Sequence, residues 1–142
     1  MCPPGSVSVQ FDPLAFVADP ELVSALEERA TPIPCDSDRV LFRQGEPAVG
    51  LYIIRKGKAT LMMCAAGNEI MKMETGSGSL LGLPASIGNQ PYSLTAQAHQ
   101  GAQVKFISRD DFNALMHSDS DLAFKILQVL ANEVRSARFA LY

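Results

Sequence analysis

The chain of 142 residues is long enough to form one domain with a sizeable core, and its 47% hydrophobic content favours a globular protein over a disordered one. Twelve basic side chains oppose fifteen acidic ones, so the sequence lacks the basic balance that binding to nucleic-acid phosphates requires. No apolar run approaches the length of a membrane span, and the N-terminus has no secretion signal. We therefore expect a cytoplasmic protein without direct nucleic-acid or membrane partners.

Two short helices are predicted near the N-terminus, because an N-cap residue directly precedes a proline at two places. Asp12 and Asp19 are the N-cap residues, and proline suits the first turn of a helix. These starts predict helices over residues 14–17 and 21–29.

From Ile33 onward the sequence consists of short apolar runs that end at glycines. Strands of this length at intervals of about ten residues are typical of an antiparallel barrel or jelly roll. The predicted strands lie at residues 39–42, 51–54, 59–64, 69–73, 94–98 and 103–107. The sequence therefore predicts a mainly β fold with flanking helices, a double-stranded β-helix of the jelly-roll or β-roll kind.

Helical periodicity returns after the strands. Ser108 and Ser118 each precede an aspartate by three residues, a spacing that resembles a capping box and predicts helices over residues 109–116 and 120–141. The last helix carries one apolar stripe of Leu122, Ile126 and Val129, and a second of Ala123, Leu127, Leu130, Val134, Ala137 and Leu141. One stripe can pack on the β-roll and the other needs a partner, so we predict a homodimer through this helix. The alternative is that both stripes pack against the N-terminal helices of the same chain.

Together these elements predict a single domain. A loose N-terminus covers residues 1–10 and the domain covers 11–142, with helices at 12–30, the β-roll at 33–107 and C-terminal helices at 109–141.

The run at residues 41–59, LFRQGEPAVGLYIIRKGKA, closely resembles the first signature of the cyclic nucleotide-binding domain. That domain occurs in Crp/Fnr regulators and in the regulatory subunits of cyclic-nucleotide-dependent kinases. The resemblance rests on a glycine turn at Gly45, a small residue at Ala48 and four apolar strand residues at 51–54. It implies an eight-stranded β-roll, a long helix that forms the dimer interface in the Crp/Fnr group, and a ligand-gated module rather than an enzyme.

The second signature of that family falls on residues 80–98, LLGLPASIGNQPYSLTAQA, where the sequence departs from it. In nucleotide-binding members a Gly-Glu pair is followed, after a variable gap, by Arg-Ser/Thr-Ala. The glutamate of this family binds the ribose 2′-hydroxyl, and the arginine neutralises the cyclic phosphate. Here Leu83 follows Gly82, and Tyr92 replaces the arginine. Leucine can do neither task, and tyrosine brings no positive charge.

The pocket implied by the resemblance is therefore apolar and uncharged. No Arg or Lys lies between Lys72 and Lys105, and Pro84 removes a backbone donor from the first helical turn. The implied pocket residues are Leu81, Gly82, Leu83, Pro84, Ala85, Ser86, Tyr92, Ser93 and Leu94. We predict a degenerate phosphate-binding cassette that does not bind cyclic AMP or GMP in the usual way. Its pocket is either filled by its own side chains or open to a more apolar small molecule.

Our prediction is a stand-alone regulatory or sensor domain with no catalytic residues, no metal and a ligand or partner protein of unidentified kind. Two alternatives are a genuine cyclic-nucleotide-binding signalling domain and the sensor half of a Crp/Fnr transcription regulator. A cupin-like metal enzyme fits less well, because it needs several converging histidines and the sequence has only His99 and His117.

Overall fold

The computed structural model describes the backbone of residues 13–141 and the side chains of residues 14–135. It begins with a 3₁₀ helix at Pro13–Phe16 and helix α1 at Pro20–Glu27. Eight strands follow: β1 (Thr31–Ile33), β2 (Arg39–Phe42), β3 (Gly50–Lys56), β4 (Ala59–Ala65), β5 (Asn68–Thr75), β6 (Leu80–Leu81), β7 (Thr95–Ala98) and β8 (Gln103–Ser108). Helix α2 (Leu83–Gly88) lies between β6 and β7, and helices α3 (Arg109–Ser118) and α4 (Ser120–Leu141) end the chain.

The strands form two antiparallel four-stranded sheets. One sheet has the order β1-β8-β3-β6 and the other has the order β2-β7-β4-β5. Strands that follow one another in the sequence thus often lie in different sheets, which is the β-roll that the sequence predicts.

Strand β3 explains why four consecutive apolar residues occur in the middle of the chain. Tyr52 and Ile54 belong to the apolar cluster inside the roll, whereas Leu51 and Ile53 belong to a second cluster between the roll and the helices. Side chains alternate between the two faces of a strand, so both faces of β3 are buried. Helices α1, α3 and α4 cover the outer face.

Two of the predicted helix starts are confirmed. The Asp19 Oδ1 atom accepts hydrogen bonds from the amides of Glu21 at 2.8 Å and Leu22 at 3.4 Å, and caps α1. The Ser108 hydroxyl oxygen accepts a hydrogen bond from the Asp111 amide at 3.2 Å and caps α3. The polar side chains that precede these helices therefore satisfy amides of the first turn.

The predicted capping box at Ser118 is wrong. Helix α3 continues through Ser118, whose hydroxyl donates to the Leu115 carbonyl oxygen at 2.9 Å. The N-cap of α4 is Asp119, whose Oδ1 accepts from the amides of Asp121 at 3.1 Å and Leu122 at 3.2 Å. Asp119 is the single residue between the two helices, so it is both the C-cap of α3 and the N-cap of α4, while Ser118 still belongs to α3.

The roll begins slightly earlier than expected. Helix α1 ends at Glu27 rather than at Arg29, and Thr31 already pairs with Phe106 of β8. Pro32 lies in this strand, which is tolerated because β1 is at the edge of its sheet and needs no donor on its outer side.

Helix α4 buries one of its two apolar stripes against its own chain. Leu122, Ile126 and Val129 are buried with residues of α1 and α3. Leu127 and Val134 of the second stripe are 59% and 53% exposed. The predicted stripe residues Ala137 and Leu141 lie outside the described side chains. None of the helices within residues 13–141 is long and apolar enough to cross a bilayer.

Candidate functional site

A cavity of about 190 Å³ lies where the inside of the roll meets α2 and α4. Its lining includes Leu81, Gly82, Pro84, Ala85, Tyr92, Ser93 and Leu94 from the predicted pocket. The sequence reasoning missed the other lining residues, which are Phe16, Phe42, Leu61, Met63, Met71, Glu133 and Val134. Three residues of the lining, Pro84, Ser93 and Val134, are exposed at the surface.

Leu83 and Ser86 of the predicted pocket do not line this cavity. Both side chains are fully buried, and Leu83 belongs to the cluster between the roll and the helices. Ser86 donates its hydroxyl proton to the Gly82 carbonyl oxygen at 2.8 Å. Residues three apart lie on the same side of a helix, so both belong to the face of α2 that turns away from the cavity. The position where the family carries glutamate therefore contributes to core packing here.

The turn before α2 depends on glycine. Gly82 has a φ of +87°, a backbone angle that residues other than glycine rarely adopt. A Cβ atom at this position would lie 2.9 Å from the Tyr92 ring and 3.4 Å from the Gly50 carbonyl oxygen. The aromatic ring of Tyr92 therefore lies directly against the turn in which the family holds its ligand.

Tyr92 is held in place by both its hydroxyl and its ring. The hydroxyl donates to the Gly50 carbonyl oxygen at 2.7 Å and accepts from the amides of Val49 at 3.1 Å and Gly50 at 3.3 Å. The ring stacks on Phe42, with 4.1 Å between ring centroids. Tyr92 is only 3% exposed. Tyr92 therefore joins the two signature segments and lies beside the Gly82 turn.

The cavity has an unusual charge distribution for an anion site. Within the described residues, no Lys, Arg or His side chain lines it, and its ionisable groups are Tyr92 and Glu133. Glu133 is 9% exposed, and its Oε1 atom has no hydrogen-bond partner among those residues. Burial raises the pKa of the Glu133 carboxyl to about 8. Among the residues that the structure describes, the lining therefore offers no cation to a phosphate.

A signal for Glu133 was present in the sequence. Leu122, Ile126 and Val129 follow spacings of four and three, and the next position of this stripe is residue 133. An acidic residue that continues a buried apolar stripe either disrupts packing or serves a site. Glu133 could have been found in this way.

The two histidines lie in different parts of the fold. His99 Nε2 lies 2.7 Å from the Thr60 hydroxyl oxygen and 4.0 Å from a carboxylate oxygen of Glu74, and His117 lies in α3. Residues 13–141 contain no group of three or more His, Cys, Asp or Glu side chains that could hold a metal ion.

Comparisons with known proteins agree with this architecture. The solved catabolite activator protein of Thermus thermophilus has a similar structure, with a TM-score of 0.76 and 24% identity over 92% of this chain and 62% of that one. A cyclic nucleotide-binding-like protein of Brucella abortus has a TM-score of 0.57 and 29% identity, over 70% of this chain and 85% of that one.

The sequence matches are consistent with the structural ones. Acetyltransferase Pat of Mycolicibacterium smegmatis is 28% identical over 97 residues, which are 66% of this chain and 29% of that protein. The chain thus spans less than a third of this relative and less than two thirds of the catabolite activator protein. Residues 33–119 match the family model of the cyclic nucleotide-binding domain, and this range contains both signature segments. The chain belongs to the cyclic nucleotide-binding domain family.

Proposed function

We propose that this chain is a regulatory or sensor domain whose phosphate-binding cassette is degenerate and whose cavity takes a largely apolar ligand in place of cyclic AMP or GMP. The observation that carries the proposal is Tyr92, which fills the space beside Gly82 and replaces a cation by a neutral hydroxyl. Leu83 is buried in the core and offers no acceptor to a ribose. The remaining cavity favours a ligand-binding role over a roll filled by its own side chains.

Cyclic nucleotides are expected to leave the thermal stability of the protein unchanged. A ligand with a micromolar Kd, added at about 1 mM, would stabilise the folded state by about 3 to 4 kcal/mol and raise Tm by several degrees. We expect no such shift with cyclic AMP or cyclic GMP, because the described lining offers no cation to their phosphate. A rise in Tm with a cyclic nucleotide that 5′-AMP does not reproduce would favour the alternative of a genuine nucleotide sensor.

We also propose that the domain forms a homodimer through α4. Phe124, Leu127 and Val134 are 62%, 59% and 53% exposed, which is a large apolar surface on one helix. Ala123 and Leu130 are partly buried beside them. Val134 also lines the cavity, so a bound ligand would contact a residue of the proposed dimer surface.

Leu127→Asp is expected to convert the dimer into a monomer at micromolar concentration. The substitution places a charge in the centre of the proposed interface, where desolvation without a partner is costly. Light scattering measures the mass directly. Val49→Asp is the matched control, because Val49 is 58% exposed but lies outside α4. A monomeric wild-type protein, or an unchanged dimer in the Leu127→Asp variant, would contradict the proposed interface.

We propose a regulatory rather than a catalytic role for the residues of this domain. Among the described residues, the cavity lining carries no nucleophile paired with a base, and its polar side chains are those of Tyr92, Ser93 and Glu133. The likeness to part of an acetyltransferase supports a domain that controls a separate catalytic domain or a partner protein. The cytoplasmic location and the absence of direct nucleic-acid binding stay predictions.

A further inference from the structure

We propose that the cavity is a site for a small, largely apolar organic cation, whose amine or amidine group pairs with Glu133. This inference rests on the proposed function, since it names the ligand class of the same cavity. The buried carboxyl of Glu133 has no hydrogen-bond partner for its Oε1 atom among the described residues.

Glu133 of α4 lies among the mostly apolar residues that line the cavity. The side chains of Leu61, Met63, Met71 and Phe42 belong to that lining, and the lining within the described residues has no positive charge. The Glu133 Oε1 atom is buried and has no hydrogen-bond partner in the described part of the chain. A buried carboxyl without a partner destabilises the folded state. A ligand that supplies the missing hydrogen-bond donor and positive charge removes this cost, which makes its binding free energy more favourable.

An organic cation fits these features better than a neutral or anionic ligand. An amidine or amine donates hydrogen bonds to the carboxylate and supplies the counter-charge, and charge-assisted hydrogen bonds of this kind are about twice as strong as neutral ones. The aromatic rings of Phe42 and Tyr92 and the two methionines suit a flat apolar body. A volume of about 190 Å³ is enough for a single ring, because an apolar cavity of about 150 Å³ binds benzene.

Pairing with a cation requires the carboxyl to lose its proton. Burial holds the pKa of Glu133 at about 8, so the carboxyl is mostly protonated at pH 7. When a cation binds, the O–H bond of the carboxyl breaks, the electron pair stays on the carboxylate and the proton passes to the buffer. Binding at pH 7 is therefore expected to release close to one proton per ligand.

The experiment is a calorimetric titration of the protein with benzamidine, benzamide and benzoate, which share one ring and differ in charge. We expect benzamidine to bind at least tenfold more tightly than benzamide, and benzoate to bind least. Titration in buffers of different ionisation enthalpy measures the released proton. Glu133→Gln should remove both the preference for benzamidine and the proton release. Glu28→Gln makes the same chemical change at an exposed position of the chain and should alter neither.

The outcomes separate this inference from the proposed function. Equal affinity for benzamidine and benzamide, no binding of any of the three probes, or an unchanged preference in Glu133→Gln would each overturn the cation site. Cyclic AMP is titrated in the same series. Its binding with a micromolar Kd would overturn the proposed function, whereas its failure to bind leaves that function standing even where benzamidine also fails.

Discussion

The free energy of unfolding is expected to fall as the pH rises from about 5 to 8, because of Glu133. Its pKa is about 8 in the folded protein and 4.5 when exposed, so the folded state binds more protons between these values. Stability is therefore greatest below the lower pKa and is lost as the pH rises through the higher one. At about 1.4 kcal/mol per pH unit, the loss amounts to about 3 to 5 kcal/mol.

Urea unfolding at several pH values measures this effect, and Glu133→Gln should flatten the pH dependence. Tyr92 is the other titratable side chain of the described lining, and Lys125 pairs with Asp19 at 3.3 Å and Glu21 at 3.7 Å. Hydrogen bonds from the Glu21 amide and Lys125 lower the pKa of Asp19. The contribution of Asp19 to the free energy of unfolding is therefore lost only at more acidic pH. Equal pH dependence in Glu133→Gln and wild type would show that Glu133 ionises freely.

Leu83→Glu is expected to destabilise the protein by about 3 kcal/mol or more, since it buries a charge among apolar side chains. Leu83 is fully buried in the cluster that joins the roll to α1, α3 and α4. Leu83→Met keeps the volume and should cost less than about 1.5 kcal/mol. Urea unfolding of both variants measures the difference.

The Leu83→Glu variant also tests the proposal that the cassette is degenerate. A glutamate at position 83 would have to leave the core and rotate α2 before it could reach a ribose. A Leu83→Glu variant that keeps its stability and gains affinity for cyclic AMP would show that the leucine has no packing role.

Much of the fold could be predicted because it depends on local patterns. Asp19 and Ser108 start helices through short-range hydrogen bonds, and the apolar run at residues 51–54 indicates a strand. That both faces of this strand are buried is seen only in the structure. The capping residue Asp119 could not be chosen over Ser118 from spacing, because that choice depends on where α3 ends.

Less of the candidate site could be predicted from the sequence. The resemblance to the second signature predicted its position in residues 80–98, and the sequence has no Arg or Lys between Lys72 and Lys105. The direction of Leu83 depends on the rotation of α2, and the partners of Tyr92 lie more than forty residues away in the chain. Glu133 lines the cavity from α4, so only the tertiary arrangement brings it close to residues 81–94.

The central claim is that Tyr92 and the uncharged turn at Gly82 have replaced the phosphate site. Isothermal titration calorimetry with cyclic AMP at pH 7 tests this claim most directly, because it detects binding to any part of the domain. We expect no saturable heat at ligand concentrations up to about 1 mM, which places any Kd above that range. A stoichiometric isotherm with a micromolar Kd would contradict it.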